Sequence, residues 1–406
     1  MNKTSQLLTL GAALLGAPLI PTFAQSTWQT VDDFQYTAGL SAVSGDMGTD
    51  IHGNLYAVGR GTPAVEGNSV GLVQMSADQG ATWDILDTFS VEGFPIGHYR
   101  AFASDASGRL YAAGNAWNAT DTAWVVRESV DGGANWTSTD DLSNAGCADI
   151  KIHPTTGDVY AGGSSANLGR VIRRRLAGAS QFTTVLATGP GNIGSAWSFS
   201  FHPNGKIFVV GDGVIPSTPT WVVHSSATGD LGSWTQVDTF YSSSEWSQTS
   251  ARASVITDSG TIYVAGSAYS SRTRKRHWIV RNSADSGATW TISDNFSYGG
   301  ASVELSGMTL DEAGNIFVCG QAANSSGKLQ WLVRKGTPTT TLVKQGKKWI
   351  QVTTVVWITS DVFQLASGKE ARANGITGDV LGNIFVSGRA ADTSGVDHWI
   401  VRKLLP

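Results

Sequence analysis

The phrases Gly53-Asn-Leu-Tyr-Ala-Val-Gly59, Gly108-Arg-Leu-Tyr-Ala-Ala-Gly114, Gly157-Asp-Val-Tyr-Ala-Gly-Gly163, Gly205-Lys-Ile-Phe-Val-Val-Gly211, Gly260-Thr-Ile-Tyr-Val-Ala-Gly266, Gly314-Asn-Ile-Phe-Val-Cys-Gly320 and Gly382-Asn-Ile-Phe-Val-Ser-Gly388 are one phrase written seven times. Each is a short apolar strand between two glycines. The copies start roughly 50 residues apart, the length of one four-stranded propeller blade. The chain is therefore expected to be an all-β, seven-bladed propeller of four-stranded antiparallel blades, with function carried on the loops of a ring.

A blade can be written outward from the phrase. In the second repeat, Arg100 to Asp105 reads as the innermost strand, Leu110 to Gly114 as the second, Trp124 to Glu128 as the third and Trp136 to Leu142 as the outermost. The third strand also repeats: Trp124-Val-Val-Arg127 returns as Trp221-Val-Val-His224, Trp278-Ile-Val-Arg281, Trp331-Leu-Val-Arg334 and Trp399-Ile-Val-Arg402. The seventh repeat stops at Lys403, one strand short. Its missing strand lies at the other end of the chain, where Thr27-Trp28-Gln-Thr-Val-Asp-Asp33-Phe34 matches Thr82-Trp83-Asp-Ile-Leu-Asp-Thr-Phe89. Pairing of the two ends would leave no open sheet edge.

Between third and fourth strands stand Ser76-Ala-Asp78-Gln-Gly80-Ala-Thr82-Trp83, Ser129-Val-Asp131-Gly-Gly133-Ala-Asn135-Trp136 and Ser283-Ala-Asp285-Ser-Gly287-Ala-Thr289-Trp290. The carboxylate can accept N–H bonds in a tight turn, the glycine supplies a positive φ, and the tryptophan packs into the blade. The pattern resembles the Asp-box, or BNR repeat, of sialidases and related propellers. Ser226 to Trp234 is similar to a fourth copy with one extra residue, while the segments ending at Phe182 and Trp349 keep only the aromatic. The glycine-bounded phrase with Trp-Ile-Val-Arg-Lys also resembles bacterial seven-bladed propeller repeats. The resemblance implies that the boxes are structural turns away from the ligand face. It does not extend to a sialidase active site, because Phe94-Pro-Ile96 lacks the arginine of that family's Phe/Tyr-Arg-Ile-Pro motif and the ring has seven phrases rather than six.

Ahead of the first strand, Met1-Asn-Lys3, an apolar run from Leu7 to Ile20 and small residues at Thr22-Phe-Ala24 read as a secretory signal peptide over residues 1–24, with the propeller over 25–406. The run is too short and too broken by proline for a membrane span. The expected location is periplasmic or extracellular. A formal net charge of −4 opposes nucleic-acid binding and general attraction to a membrane surface. Two local exceptions, Arg272-Thr-Arg-Lys-Arg276 and Arg173 to Arg175, read as solvated segments. Cys147 and Cys319 fall in distant repeats and are expected to be separate buried thiols. No metal-ligand spacing occurs, and no cofactor is expected. His153 and His202 stand where other repeats place Asp50, Asp105, Asp311 and Asp379, so they read as turn residues.

Loops entering the innermost strands gather at one mouth of a propeller's tunnel. Aligning the entries places Asp46, His98, Tyr99, Arg100, Trp197, Arg252, Glu304, Arg372 and Asn374 there. Arg100, Arg252 and Arg372 would form a bidentate clamp for an anion such as a sugar carboxylate. Tyr99, His98 and Glu304 are side-chain types that could act as acid, base or nucleophile, and Trp197, Asn374 and Asp46 would complete a binding surface. The partner expected is a glycan, possibly acidic, bound by a monomer. Two classes stay open at this stage: a hydrolase or lyase acting on that glycan, and a non-catalytic propeller serving as a lectin-like or protein-binding scaffold. Mouth residues that differ from blade to blade favour one asymmetric site over a multivalent lectin.

Overall fold

A computed structural model describes residues 27–405 apart from 66–67, 192–193, 216–217, 242–243, 300–301 and 346–347; the expected signal peptide lies outside the described residues. Seven separate four-stranded antiparallel sheets follow one another around a ring. Blades 1 to 6 run over 42–89, 96–143, 145–187, 196–240, 246–296 and 303–363. Blade 7 combines Ala371–Gly378, Ile384–Ala391 and Asp397–Leu404 with Trp28–Phe34. The N-terminal strand pairs antiparallel with the C-terminal one from Trp28 opposite Leu404 to Phe34 opposite Trp399, closing the ring as the sequence implies. Cys147 and Cys319 are buried and unpaired.

The closing glycine of the phrase has a packing cause. A Cβ on Gly59 would stand 2.1 Å from the Val43 carbonyl oxygen and 2.7 Å from the Trp399 ring, and one on Gly388 would stand 2.0 Å from the Arg372 carbonyl and 2.8 Å from Trp331. The third-strand tryptophan of each such blade therefore lies on the second strand of the next, and any side chain at the glycine would force the sheets apart. Trp124, Trp221, Trp278, Trp331 and Trp399 are all fully buried in this way. The box turns hold themselves. The Asp131 carboxylate accepts from the Asn135 N–H at 2.9 Å and its side-chain amide at 2.7 Å, Ser129 Oγ accepts from the Gly133 N–H, and Gly133 takes φ 98°. Asp78 and Asp285 repeat the arrangement with Thr82 and Thr289.

Two expectations need correction. In blade 6 the outer-strand aromatic is Trp357, whose indole bonds Ser293 Oγ and which packs in the core; Trp349 is exposed on a long hairpin, Leu329–Gln345 with Lys348–Phe363, that overruns the blade. Spacing would have found it, since Trp357 precedes Phe363 by the interval that separates Trp290 from Phe296. Arg173 to Arg175 are not solvated. Arg173 grips Asp140 at 2.6 and 2.7 Å, Arg174 bonds Asp158, and buried Arg175 bonds Glu128 and Tyr111.

Arg173–Asp140 is one instance of a clasp between blades. The arginine ending the third-strand phrase reaches back to an aspartate four residues after the outer-strand aromatic of the preceding blade: Arg127 to Asp87, Arg281 to Asp238, Arg334 to Asp294 and Arg402 to Asp361. Four of these guanidiniums also lie over a phenylalanine of that blade, Arg334 at 3.9 Å from Phe296 and Arg402 at 4.2 Å from Phe363. Two interfaces depart from the rule. Between blades 3 and 4 the positions hold Leu186 and His224, and His224 Nδ1 meets Arg170 instead at 3.1 Å. Between blades 7 and 1 they hold Asp32 and Gln74, and Asp32 Oδ2 and both polar atoms of the Gln74 side chain are buried without a partner.

Burial, and then the Asp33 charge beside it, lifts the Asp32 carboxyl to about 7. The folded state thus prefers it protonated, so Asp32 costs nothing below the ordinary carboxyl value of 3.8, destabilises increasingly as pH rises from there, and reaches its full cost above about 7. Gln74→Arg supplies the missing guanidinium. The variant should melt higher than the parent at pH 8, by on the order of 2 kcal/mol in stability, and approach it near pH 4. Calorimetry at the two pH values measures this; an equal shift at both would sink the Asp32 explanation.

Candidate functional site

Every innermost strand carries a β-bulge at the same step, Ser44/Asp46, Tyr99/Ala101, Cys147/Asp149, Ala196/Ser198, Ala251/Ala253, Leu305/Gly307 and Ala373/Gly375, and blade 5 has a further shift at Ser247/Ser250. A bulge leaves one residue unpaired and re-aims its side chain. The seven unpaired residues are Gly45, Arg100, Ala148, Trp197, Arg252, Ser306 and Asn374, and all seven line the tunnel, a cavity of about 890 Å³. Repetition of the bulge thus makes a ring of residues at one level, and among the seven only arginine occurs twice. His98, Glu304 and Arg372 sit two residues earlier on their strands, one tier nearer the mouth.

Arg100 and Arg252 stand in this ring on blades 2 and 5. Burial, then Arg60 and Arg252, push the Arg100 guanidinium below its ordinary range. Arg60, on the second strand of blade 1, is lowered chiefly by burial and next by Arg389. Among the described residues no carboxylate forms an ion pair with Arg60, Arg100 or Arg252, although Arg372, Arg389 and Arg334 each have one. Arg60 lies over Trp117 at 5.7 Å, and Arg252 over Trp197 at 4.0 Å. Trp197 is held from behind by its indole N–H, which donates to Asp212 Oδ2 at 2.6 Å. His98 belongs to the same cluster: burial first, then Arg100 and Arg60, keep its imidazole neutral at physiological pH, and its Nε2 has no partner.

The remaining residues divide. Glu304 lines the cavity and accepts from the Gln321 side-chain amide. Asn374 lines it and donates to the Ser44 carbonyl at 2.7 Å, tying blade 7 to blade 1. The Asp46 carboxylate accepts from the Phe102 N–H of blade 2, and burial raises it to about 6. Asp149 makes the equivalent bond to the Phe199 N–H, and Lys151 stands 3.7 Å from its carboxylate. Arg372 does not line the cavity and lies 3.6 Å from Glu370. Tyr99 is turned away from the tunnel: it is fully buried, and its hydroxyl donates to Asp87 at 2.7 Å in the clasp between blades 1 and 2. Alternation along a strand explains this, since Tyr99 and Arg100 must face opposite ways.

Arg60 is the member that inspection of strand entries misses. Its column, the residue after each phrase's closing glycine, reads Arg60, Asn115, Ser164, Asp212, Ser267, Gln321 and Arg389. A polar, variable column on an otherwise apolar strand was the available signal. Among the described residues no cluster of histidine, cysteine and carboxylates is arranged to hold a metal, and no helix is long and apolar enough to cross a membrane.

Neither a family model nor a curated sequence matches the chain. Solved structures do. A protein of unknown function from Dyadobacter fermentans aligns over 93% of this chain and 98% of its own at 13% identity and a TM-score of 0.51. A Lactobacillus plantarum protein aligns over 87% and 99% at 10% identity and 0.52. An α-L-arabinanase of Penicillium chrysogenum, solved with arabinobiose, covers 74% and 97% at 14% identity and 0.47. At such identities the likeness establishes the propeller alone.

Proposed function

We propose that the protein is an exported propeller of the Asp-box kind that binds an acidic glycan in its tunnel mouth. The observation that carries this is the pair of guanidiniums of Arg100 and Arg252, which line the cavity from blades 2 and 5 with Arg60 close enough to Arg100 to act on its charge, none of the three forming an ion pair with a carboxylate among the described residues. Arginines that serve only to anchor loops come with acidic partners, as the clasps in this same protein do; cavity-lining guanidiniums without such a partner are suited to an anionic ligand. Trp197 and the amides of Asn374 and Gln248, which line the same cavity, supply the apolar and hydrogen-bonding contacts that sugar rings use. The three box turns, each closed by its own aspartate, support the family reading, and the apolar N-terminal segment supports export.

A catalytic reading rests on Asp46 and Glu304, which line the same cavity. A carboxyl raised to about 6, as Asp46 is, titrates near neutrality and suits proton transfer to a glycosidic oxygen. Binding is the primary conclusion, and turnover of an acidic polysaccharide by this pair is its extension.

Titration of Arg252→Ala with acidic and neutral oligosaccharides of equal length tests the reading. Affinity for the acidic sugar should fall by about 1.5–3 kcal/mol while that for the neutral one changes little, with melting unchanged. Equal affinity of the parent for both sugar types removes the anion site.

A further inference from the structure

Blade 5 carries further positive charge between its tunnel arginine and the rim. Its innermost strand, Trp246–Ile256, has the extra register shift at Ser247/Ser250, which leaves Gln248 and Thr249 opposite the single residue Ala268. Thr249 Oγ1 docks on blade 4, donating to the Phe240 carbonyl and accepting from the Trp221 N–H. Gln248 takes φ 48° and lines the tunnel. A positive φ at a residue with a side chain is strained and persists where its surroundings hold it. Arg276 does so here, donating to the Gln248 carbonyl at 3.2 Å and to its Oε1 at 2.9 Å. Arg276 also lines the tunnel. It stands opposite Tyr269, whereas Arg252 is level with Ala265 and Gly266, so Arg276 lies roughly 10 Å nearer the mouth on the same blade.

Beyond Arg276 come Lys275 and the hairpin residues Arg272 and Arg274. The last two are exposed, as the sequence implies for a solvated segment, but the hairpin is fixed over the tunnel entry: the Ser271 N–H donates to the Glu245 carbonyl at 2.8 Å and Ser271 Oγ to the Ser244 carbonyl at 3.0 Å. Among the described residues no carboxylate forms an ion pair with any of these four basic side chains, whereas Arg281 on the same strand grips Asp238. Charge also gives the track a direction. The hairpins that join second to third strands surround one mouth; those of blades 2 and 7 carry Asp121 and Asp392, while those of blades 5 and 6 carry Arg272, Arg274 and exposed Lys328. Lys275 Nζ reaches toward blade 6, to the Gly299 carbonyl at 3.5 Å. A chain of negative charges leaving the tunnel is drawn over blades 5 and 6 and repelled from blades 2 and 7.

We propose that the ligand held at Arg100 and Arg252 is one segment of a polyanionic chain whose next charged units lie on Arg276 and, at the rim, on Arg274 and Arg272 of blade 5. This rests on the acidic-glycan reading and deepens it, from a single sugar acid to a glycan with anionic groups repeated along its length. Two probe series test it on the whole protein by calorimetric titration: oligogalacturonates, which carry carboxylates, and heparin-derived oligosaccharides, which carry sulfates as well, each as di-, tetra- and octasaccharides. In the series that binds, affinity should rise with length, and added salt should weaken the octasaccharide more steeply than the disaccharide. Arg272→Gln combined with Arg274→Gln should raise the octasaccharide dissociation constant at least ~10-fold, leave the disaccharide value and the melting temperature unchanged, and flatten the salt dependence. Arg252→Ala should weaken every length. Affinity independent of length in the parent, or an octasaccharide that binds the double variant as it binds the parent, overturns the polyanion track and leaves the single anion site standing. A parent that binds no member of either series overturns the acidic-glycan reading and the track with it.

Discussion

Deleting residues 27–34 will yield an insoluble protein without a cooperative melting transition. Six register pairs join Trp28–Phe34 to the last strand, and their loss opens a full edge of unpaired N–H and C=O groups at Asp397–Leu404. The deletion also removes Trp28 from the core shared by blades 6 and 7, and Phe34 from its edge contact with Trp399 at 6.1 Å. The Arg402 clasp loses its supports at Thr30 Oγ1 and the Trp28 carbonyl. Solubility after expression, followed by calorimetry of any soluble fraction, measures the effect. A soluble chain melting where the parent does would show that the ring closes by other means.

The second large effect is expected at a clasp. Asp294→Ala leaves Arg334, only 7% exposed at its side chain, with its counter-charge removed and a bidentate pair of bonds at 2.9 and 3.1 Å lost. An unpaired buried charge of this kind costs about 3–5 kcal/mol. Replacing both residues, as Asp294→Ala with Arg334→Met, should recover much of that loss, because the remaining methionine keeps its packing on Phe296 and nothing charged is stranded. Denaturant unfolding of the two variants distinguishes charge from packing. A single variant within about 1 kcal/mol of the parent would mean that water reaches the guanidinium freely.

The fold was legible because each blade repeats the same physical demand: a glycine where a neighbouring tryptophan presses, a carboxylate where a turn needs an acceptor, a missing strand restored from the other terminus. Where a repeat decays, legibility decays with it, as at Trp357, hidden behind the inserted arm. The site was legible only in part for a related reason. Arg100, Trp197, Arg252 and Asn374 occupy one bulge position and could be aligned. The bulge itself leaves no residue signature, so Tyr99 one step before it was placed at the mouth although alternation turns it into the core. Arg60 comes from a different strand, and its proximity to Arg100 is a product of packing between successive blades that no single repeat encodes.

The two interfaces without a clasp do more than break a pattern. They fall between blades 3 and 4 and between blades 7 and 1, so they divide the ring into an arc of three blades and an arc of four, each riveted internally by arginine and aspartate. Arg60 and Arg100 belong to the first arc and Arg252 to the second. A ligand gripped by Arg100 and Arg252 would bridge the two arcs, supplying across them a link that the clasps do not.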